Sequence, residues 1–85
     1  MVELSDPINV WVFFKKGQIT PYVFFWNKRR IAIDAVNLVH QSREGAKTLY
    51  HFSVSSAGNF YRLGFDGVDL KWILEAVEED GILNS

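Results

Sequence analysis

Apolar and polar residues alternate along much of this chain with a period of two, the pattern of β-strands that bury one face. Residues 50–55 alternate Tyr, Phe and Val with His and Ser, and residues 61–65 alternate in the same way. The Ser-Ala-Gly-Asn segment at 56–59 has the composition of a turn. The pattern therefore predicts an antiparallel hairpin whose buried face consists of Tyr50, Phe52, Val54, Tyr61, Leu63 and Phe65.

The first third of the chain contains two runs of β-branched and aromatic residues, at 8–14 and 19–26. The polar segment 15–18 separates them, so we expect a second hairpin closed at Gly17. Pro21 lies near the start of the second run, where proline is tolerated at a sheet edge or at the beginning of a strand.

The remaining segments predict further strands. Residues 31–40 predict a strand bent near Asn37, and the polar residues 42–47 predict a loop. Residues 70–77 are ambiguous, because their apolar positions fit one face of a strand and also one face of a helix; we prefer the strand. Residues 82–85 predict a loose tail.

These elements predict an all-β protein, a small antiparallel barrel or curled meander of about six strands that is SH3-like and carries at most a short C-terminal helix. The chain has 85 residues, of which 48% are hydrophobic, and this suits a single domain over 1–85 with its core at about 8–77. It has no Cys, which excludes disulfides and thiolate sites. No apolar run is long enough to span a membrane and no signal peptide is visible, so we expect a soluble, cytoplasmic protein.

A set of aromatic and glycine positions resembles a small bacterial β-domain family of unknown function. The resemblance covers about residues 8–77 and rests on Pro21-x-x-Phe24-x-Trp26, Tyr50-x-Phe52-x-Val54, Gly58, Tyr61-x-Leu63 and Trp72-x-Leu74. Asn27 departs from the pattern, which has a glycine beside the tryptophan. The resemblance implies a compact single-domain β protein without catalytic residues, and it associates the chain with bacterial DNA-repair gene products.

The first predicted hairpin is apolar on both faces, although a one-layer barrel buries only one. Contiguous exposed apolar patches beyond a few hundred Å² are uncommon on monomers, so the second face predicts a contact surface. The leading hypothesis is a noncatalytic interaction module that self-associates as a homodimer or binds a protein through the hairpin 8–26. The predicted interface is Trp11, Phe13, Val23 and Phe25.

The alternative hypothesis is a module that binds single-stranded nucleic acid, because basic and aromatic residues are neighbours in several places. The candidate residues are Lys15, Lys16, Lys28, Arg29, Arg30, Phe60 and Arg62. A net charge of −1 and a pI near 6.0 disfavour a general nucleic-acid binder. The charge is nevertheless segregated, with six basic and three acidic residues in 1–43 against three basic and seven acidic in 44–85.

A weaker alternative is an enzyme centred on His51. His40 and His51 lie on adjacent predicted strands, and Ser53, Ser55 and Ser56 are close to His51 in sequence. A serine nucleophile needs a base that a third group orients, and no nucleophile elbow is visible. We therefore predict no enzyme, no metal site and no cofactor.

Overall fold

The computed structural model describes residues 1–79 as an all-β domain of seven antiparallel strands. The predicted tail at 82–85 lies outside the described residues. The strands are β1 (Val2–Lys15), β2 (Gln18–Trp26), β3 (Arg29–Ala32), β4 (Ala35–Glu44), β5 (Lys47–Ser56), β6 (Asn59–Asp66) and β7 (Lys71–Glu78). The all-β prediction is confirmed, with one strand more than the expected six.

The strands form one curled sheet, a half-barrel, in the order β3-β2-β1-β7-β6-β5-β4. Two meanders of sequential strands, β1 to β3 and β4 to β7, meet where β1 pairs antiparallel with β7. The first and the last strand are therefore neighbours inside the sheet, and β3 and β4 are its two edges.

The two edge strands are joined by only two residues, Ile33 and Asp34. The N–H of Ile33 donates to the carbonyl of Tyr22 in β2, and the N–H of Asp34 donates to the carbonyl of Ser55 in β5. This corner brings the two ends of the sheet together, so the sheet must curl. The single strand predicted over 31–40 is wrong for this reason: it is interrupted at the corner, and a register shift at Asn37 follows it.

The concave side of the half-barrel holds the core. Phe24, Phe52, Val54, Leu63 and Leu74 are at most 1% exposed. The predicted hairpin of β5 and β6 is confirmed, because Ser56 pairs with Asn59 across the turn and five of the six expected side chains are buried. The sixth, Tyr50, is partly buried against the same core.

Two-residue turns close four of the hairpins. Both residues have a positive φ at 16–17, 27–28 and 57–58, the type I′ pattern that matches the twist of paired strands. Asn27, at +52°, adopts the left-handed conformation that a glycine would have taken there. The loop predicted over 42–47 is wrong, since β4 continues to Glu44 and only residues 45–46 form the turn.

From Lys71 on, the segment 70–77, which fitted both a strand and a helix, belongs to strand β7 (Lys71–Glu78). Leu74, Ala76 and Val77 are at most 1% exposed, although a strand with strict alternation would bury only one of the last two. The register shift between Arg62 and Leu63 opposite β7 accommodates both. The extra residue of this bulge is what made the apolar spacing resemble a helix, and the short C-terminal helix is not present in residues 1–79.

Candidate functional site

The outer side of β1 and β2 carries a cluster of aromatic rings, which we call the aromatic face. It consists of Trp11, Phe13, Tyr22 and Phe25. Phe13 stacks on Tyr22 with ring centroids 4.4 Å apart, and the Trp11 ring lies 6.2 Å from Tyr22 and 5.4 Å from Phe25. Trp11 is 48% exposed and Phe13 is 58% exposed, so the rings are accessible from solvent.

Tyr22 joins this face because β2 contains a bulge. Trp11 pairs with Val23 while the next residue, Val12, pairs with Pro21, so Tyr22 is the extra residue. Strict alternation places Tyr22 on the inner side with Phe24, and sequence analysis therefore missed it. Pro21 was the available signal, since β2 is not an edge strand and a proline inside a sheet marks a bulge.

The four residues predicted as an interface all lie on this outer side, but they differ in solvent exposure. Val23 pairs with Trp11 on one side and with Ala32 on the other, and its side chain is only 3% exposed. It forms the base of the aromatic cluster, whereas Trp11 and Phe13 form its accessible surface. Arg30 lies beside them, with its guanidinium carbon 5.6 Å from the centre of the Trp11 ring, within the range of a cation–π contact.

Cations occur at both ends of the aromatic face. Lys15 and Lys16 lie at the β1–β2 turn, and Lys28 lies at the β2–β3 turn. β2 has nine residues, so these turns are roughly 30 Å apart. Residues 7–33 contain five basic residues and no acidic one. Within residues 1–79, Lys15, Lys16, Lys28 and Arg30 take part in no salt bridge.

Arg29 points to the inner side of the sheet and is already engaged. Its guanidinium donates to both carboxylate oxygens of Glu79 at 3.0 and 3.2 Å and lies 5.3 Å from the Trp26 ring. The hydroxyl of Tyr61 donates to the same carboxylate. Burial, and then this hydrogen bond, raise the pKa of Tyr61 to about 12. Arg29 thus stabilises the inner side of the sheet through its contacts with Glu79 and Trp26.

Phe60 and Arg62 lie on the outer side of β6, as alternation predicts, but they are far from the aromatic face. Phe60 pairs with Glu78 near the end of β7 where Val2 pairs, whereas Trp11 lies beyond the opposite end of that pairing. Arg62 donates to Glu3 at 2.9 Å and to Glu75 at 3.2 Å. The seven predicted nucleic-acid residues therefore do not form one patch.

His51 lies at the centre of a hydrogen-bond network on the outer side of β4 to β7. Its Nδ1 is 2.9 Å from Oε1 of Glu75, and its Nε2 is 2.7 Å from Oγ of Ser42. The His40 ring stacks on it at 4.6 Å, as their pairing across the β4–β5 hairpin allows. Residues 1–79 contain no cluster of three or more His, Asp or Glu arranged to hold a metal ion.

The sequence pointed to the wrong partners for His51. Ser53, Ser55 and Ser56 are close in sequence, but Ser42 and Glu75 come from other strands that only the register brings together. The glycine at position 64 was the available signal. Gly64 pairs with His51, and a Cβ built on it would lie 2.6 Å from Oε2 of Glu75, so the carboxylate reaches His51 across the glycine.

Searches against family models, curated proteins and solved structures found no match to this chain. The part of the chain that the structure describes contains no helix with the length and apolarity needed to cross a membrane.

Proposed function

We propose that the protein is a binding module that holds a single nucleic-acid strand across the aromatic face. The observation that carries this proposal is the combination of solvent-accessible rings with cations that form no salt bridge within residues 1–79. Both lie on the lobe formed by residues 7–33, which include no acidic residue. Bases stack on exposed aromatic rings without regard to sequence, while a positively charged groove follows the phosphates.

The dimensions of the lobe support this partner. Lys15 and Lys16 at one end and Lys28 at the other flank the rings over roughly 30 Å, which suits a segment of several nucleotides. Arg30 adds a guanidinium beside Trp11, where it both stacks and carries positive charge. The overall charge of −1 does not oppose such binding, because the acidic residues belong to other parts of the chain.

A homodimer through the same face is the second candidate function. The 48% and 58% exposure of Trp11 and Phe13 favours it, since rings this exposed gain free energy when a partner covers them. A two-fold dimer would place the cations of one lobe against those of the other, and juxtaposed like charges weaken association. Charge complementarity therefore favours a polyanion as the occupant.

The first test uses fluorescence anisotropy with labelled single strands of about 12 nucleotides. We expect Phe13→Ala to weaken binding by about 1 to 3 kcal/mol, or roughly 5- to 150-fold in Kd, because one stacked base is lost. Phe14→Ala is the matched control: Phe14 is the next residue of β1, is 71% exposed and lies on the opposite side of the strand. This variant should bind like the wild type.

The salt dependence tests the cations separately. Replacing Lys15, Lys16 and Lys28 together with Ala should reduce the slope of log K against log salt by about 2, since each contacted phosphate of a single strand contributes about 0.7. An unchanged slope, or equal losses in Phe13→Ala and Phe14→Ala, would contradict the proposal. Sedimentation of the same samples identifies the second candidate, a dimer that Phe13→Ala dissociates and that excludes the oligonucleotide.

A further inference from the structure

We propose that Ser42, His51 and Glu75 form a nucleophilic triad on the outer side of β4, β5 and β7, and that Ser42 accepts the acyl group of a small carboxylic ester. The site is separate from the aromatic face, which lies on β1 and β2. Ser42 and His51 come from strands paired in the β4–β5 hairpin, and Glu75 reaches His51 from two strands away.

The hydrogen bonds define the role of each group. A carboxylate only accepts hydrogen bonds, so Nδ1 of His51 carries the proton that it donates to Glu75. In the neutral ring, Nε2 is then an acceptor, and Ser42 donates its hydroxyl proton to it across 2.7 Å. This is the arrangement in which a histidine acts as a general base for a serine and a carboxylate fixes its tautomer.

Glu75 is held firmly in this position. Both of its oxygens lie within 3.1 Å of Nδ1 of His51, and Nε of Arg62 donates to Oε1 at 3.2 Å. The side chains of His51 and Glu75 are only 15% and 17% exposed, which limits competition from water. The absence of a side chain at Gly64 leaves the space that the carboxylate occupies.

A groove of about 240 Å³ borders the triad and indicates the substrate class. Of the triad, only Glu75 lines it, but so do Leu49, which pairs with Ser42, and Gly64, which pairs with His51. Leu49, Ile73 and the backbone of Gly64 give it an apolar lining suited to a short hydrocarbon chain. Glu44 and Asp66 also line it, and with Glu75 they outnumber the single Lys71, which disfavours an anionic acyl group. A short uncharged acyl group fits both the size and the charge of the groove.

The reaction proceeds in two balanced steps. Oγ of Ser42 bonds to the carbonyl carbon while His51 takes the hydroxyl proton, and the alcohol leaves with that proton as its bond to the acyl carbon breaks. Water then gives a proton to His51 and attacks the acyl carbon. The bond from that carbon to Oγ breaks, the acid is released, and His51 returns the proton to Oγ of Ser42.

The test is covalent labelling of the full chain with an alkyl fluorophosphonate, followed by intact mass and peptide mapping. Oγ of Ser42 displaces fluoride from phosphorus, so we expect one adduct, on Ser42, and no adduct on Ser42→Ala. His51→Gln should slow labelling about 100-fold or more because the base is lost. Ser53→Ala is the matched control, since Ser53 lies two residues from His51 on the same side of β5 and should not affect the rate.

A further readout separates catalysis from structural support. Gly64→Ala should slow labelling while the fold, measured by circular dichroism, is kept, because the clash is with the flexible end of Glu75. An unlabelled wild type, or a folded Ser42→Ala labelled at the wild-type rate, would overturn the proposal.

Discussion

The carboxylate of Asp66 accepts hydrogen bonds that stabilise the turn between β6 and β7. Its Oδ1 accepts the N–H groups of Asp69 and Val68 at 3.0 and 2.8 Å, and Lys47 from β5 donates to Oδ2 at 3.1 Å. The N–H of Asp69 is the main cause that holds the pKa of Asp66 below its ordinary 3.8, against the opposing effect of burial. The ionised carboxylate is therefore favoured in the folded chain.

This shift predicts a pH dependence of stability. A carboxyl group whose pKa is lowered on folding contributes stability above its unfolded pKa, and that contribution is lost as the pH falls through the folded value. We expect the free energy of unfolding of the wild type to decline from about pH 5 downward through 3.8, and Asp66→Asn to decline less steeply there. Urea titrations of both proteins across this range measure the difference, and parallel pH profiles would contradict the assignment.

The hydrogen-bond partners of His51 could not be predicted from the residue pattern, although its position in the strand could. Alternation correctly placed His51 on the outer side of β5, and the stacking with His40 followed from hairpin pairing. The partners Ser42 and Glu75 depend on the register of separate strand pairs, and a shift of one residue in either strand would turn them inward. Sequence alone does not supply that register.

At the scale of elements, the hairpin turns determine the register of the neighbouring strands. The β5–β6 turn has φ values of +49° at Ala57 and +81° at Gly58, so both central residues are left-handed. Alanine is a poor choice there, because its Cβ crowds the backbone, whereas asparagine tolerates this conformation. The N–H of Ala57 also donates to Asp34, which ties this turn to the corner between β3 and β4.

We therefore predict that Ala57→Asn stabilises the protein by roughly 0.5 to 1 kcal/mol, by analogy with other substitutions that relieve unsuitable backbone conformations. Thermal or chemical unfolding measures the gain. The matched control is Ala46→Asn in the β4–β5 turn, where Gly45 is the residue with positive φ, and this change should bring no comparable gain. Equal effects of the two substitutions would show that the φ of Ala57 is not the cause.

Most elements, but not their irregularities, could be predicted from the sequence. The β5–β6 hairpin followed from clean alternation and a turn, and its register was as expected. The bulges at Tyr22 and in β7 were missed because each adds one residue that shifts the inside–outside pattern. The break between β3 and β4 was missed because its cause is tertiary: both edges of a curled sheet meet at residues 33–34.

At the scale of the molecule, curling separates two surfaces of different chemistry. The cationic aromatic face belongs to β1 to β3, and the network of Ser42, His51 and Glu75 belongs to the sheet of β4 to β7. The sequence predicted the rings as a dimer interface and the cations as a nucleic-acid site. Both lie on one lobe because β1 to β3 form a three-stranded meander, and the rings and cations are therefore neighbours on one surface.

The pairing of β1 with β7 also determines when the sheet can close as the chain is synthesised. At about 5 to 20 residues per second, synthesis of β7 is complete roughly 3 to 13 s after that of β1. During that interval the nascent chain presents an edge of β1 that β7 will later occupy. We expect stalled chains that lack residues 71–79 to be captured by chaperones or to aggregate. Stalled chains that carry an added C-terminal linker long enough to place β7 outside the tunnel should resist protease. Vectorial synthesis thus leaves the middle of the sheet, rather than a border, as the last part to form.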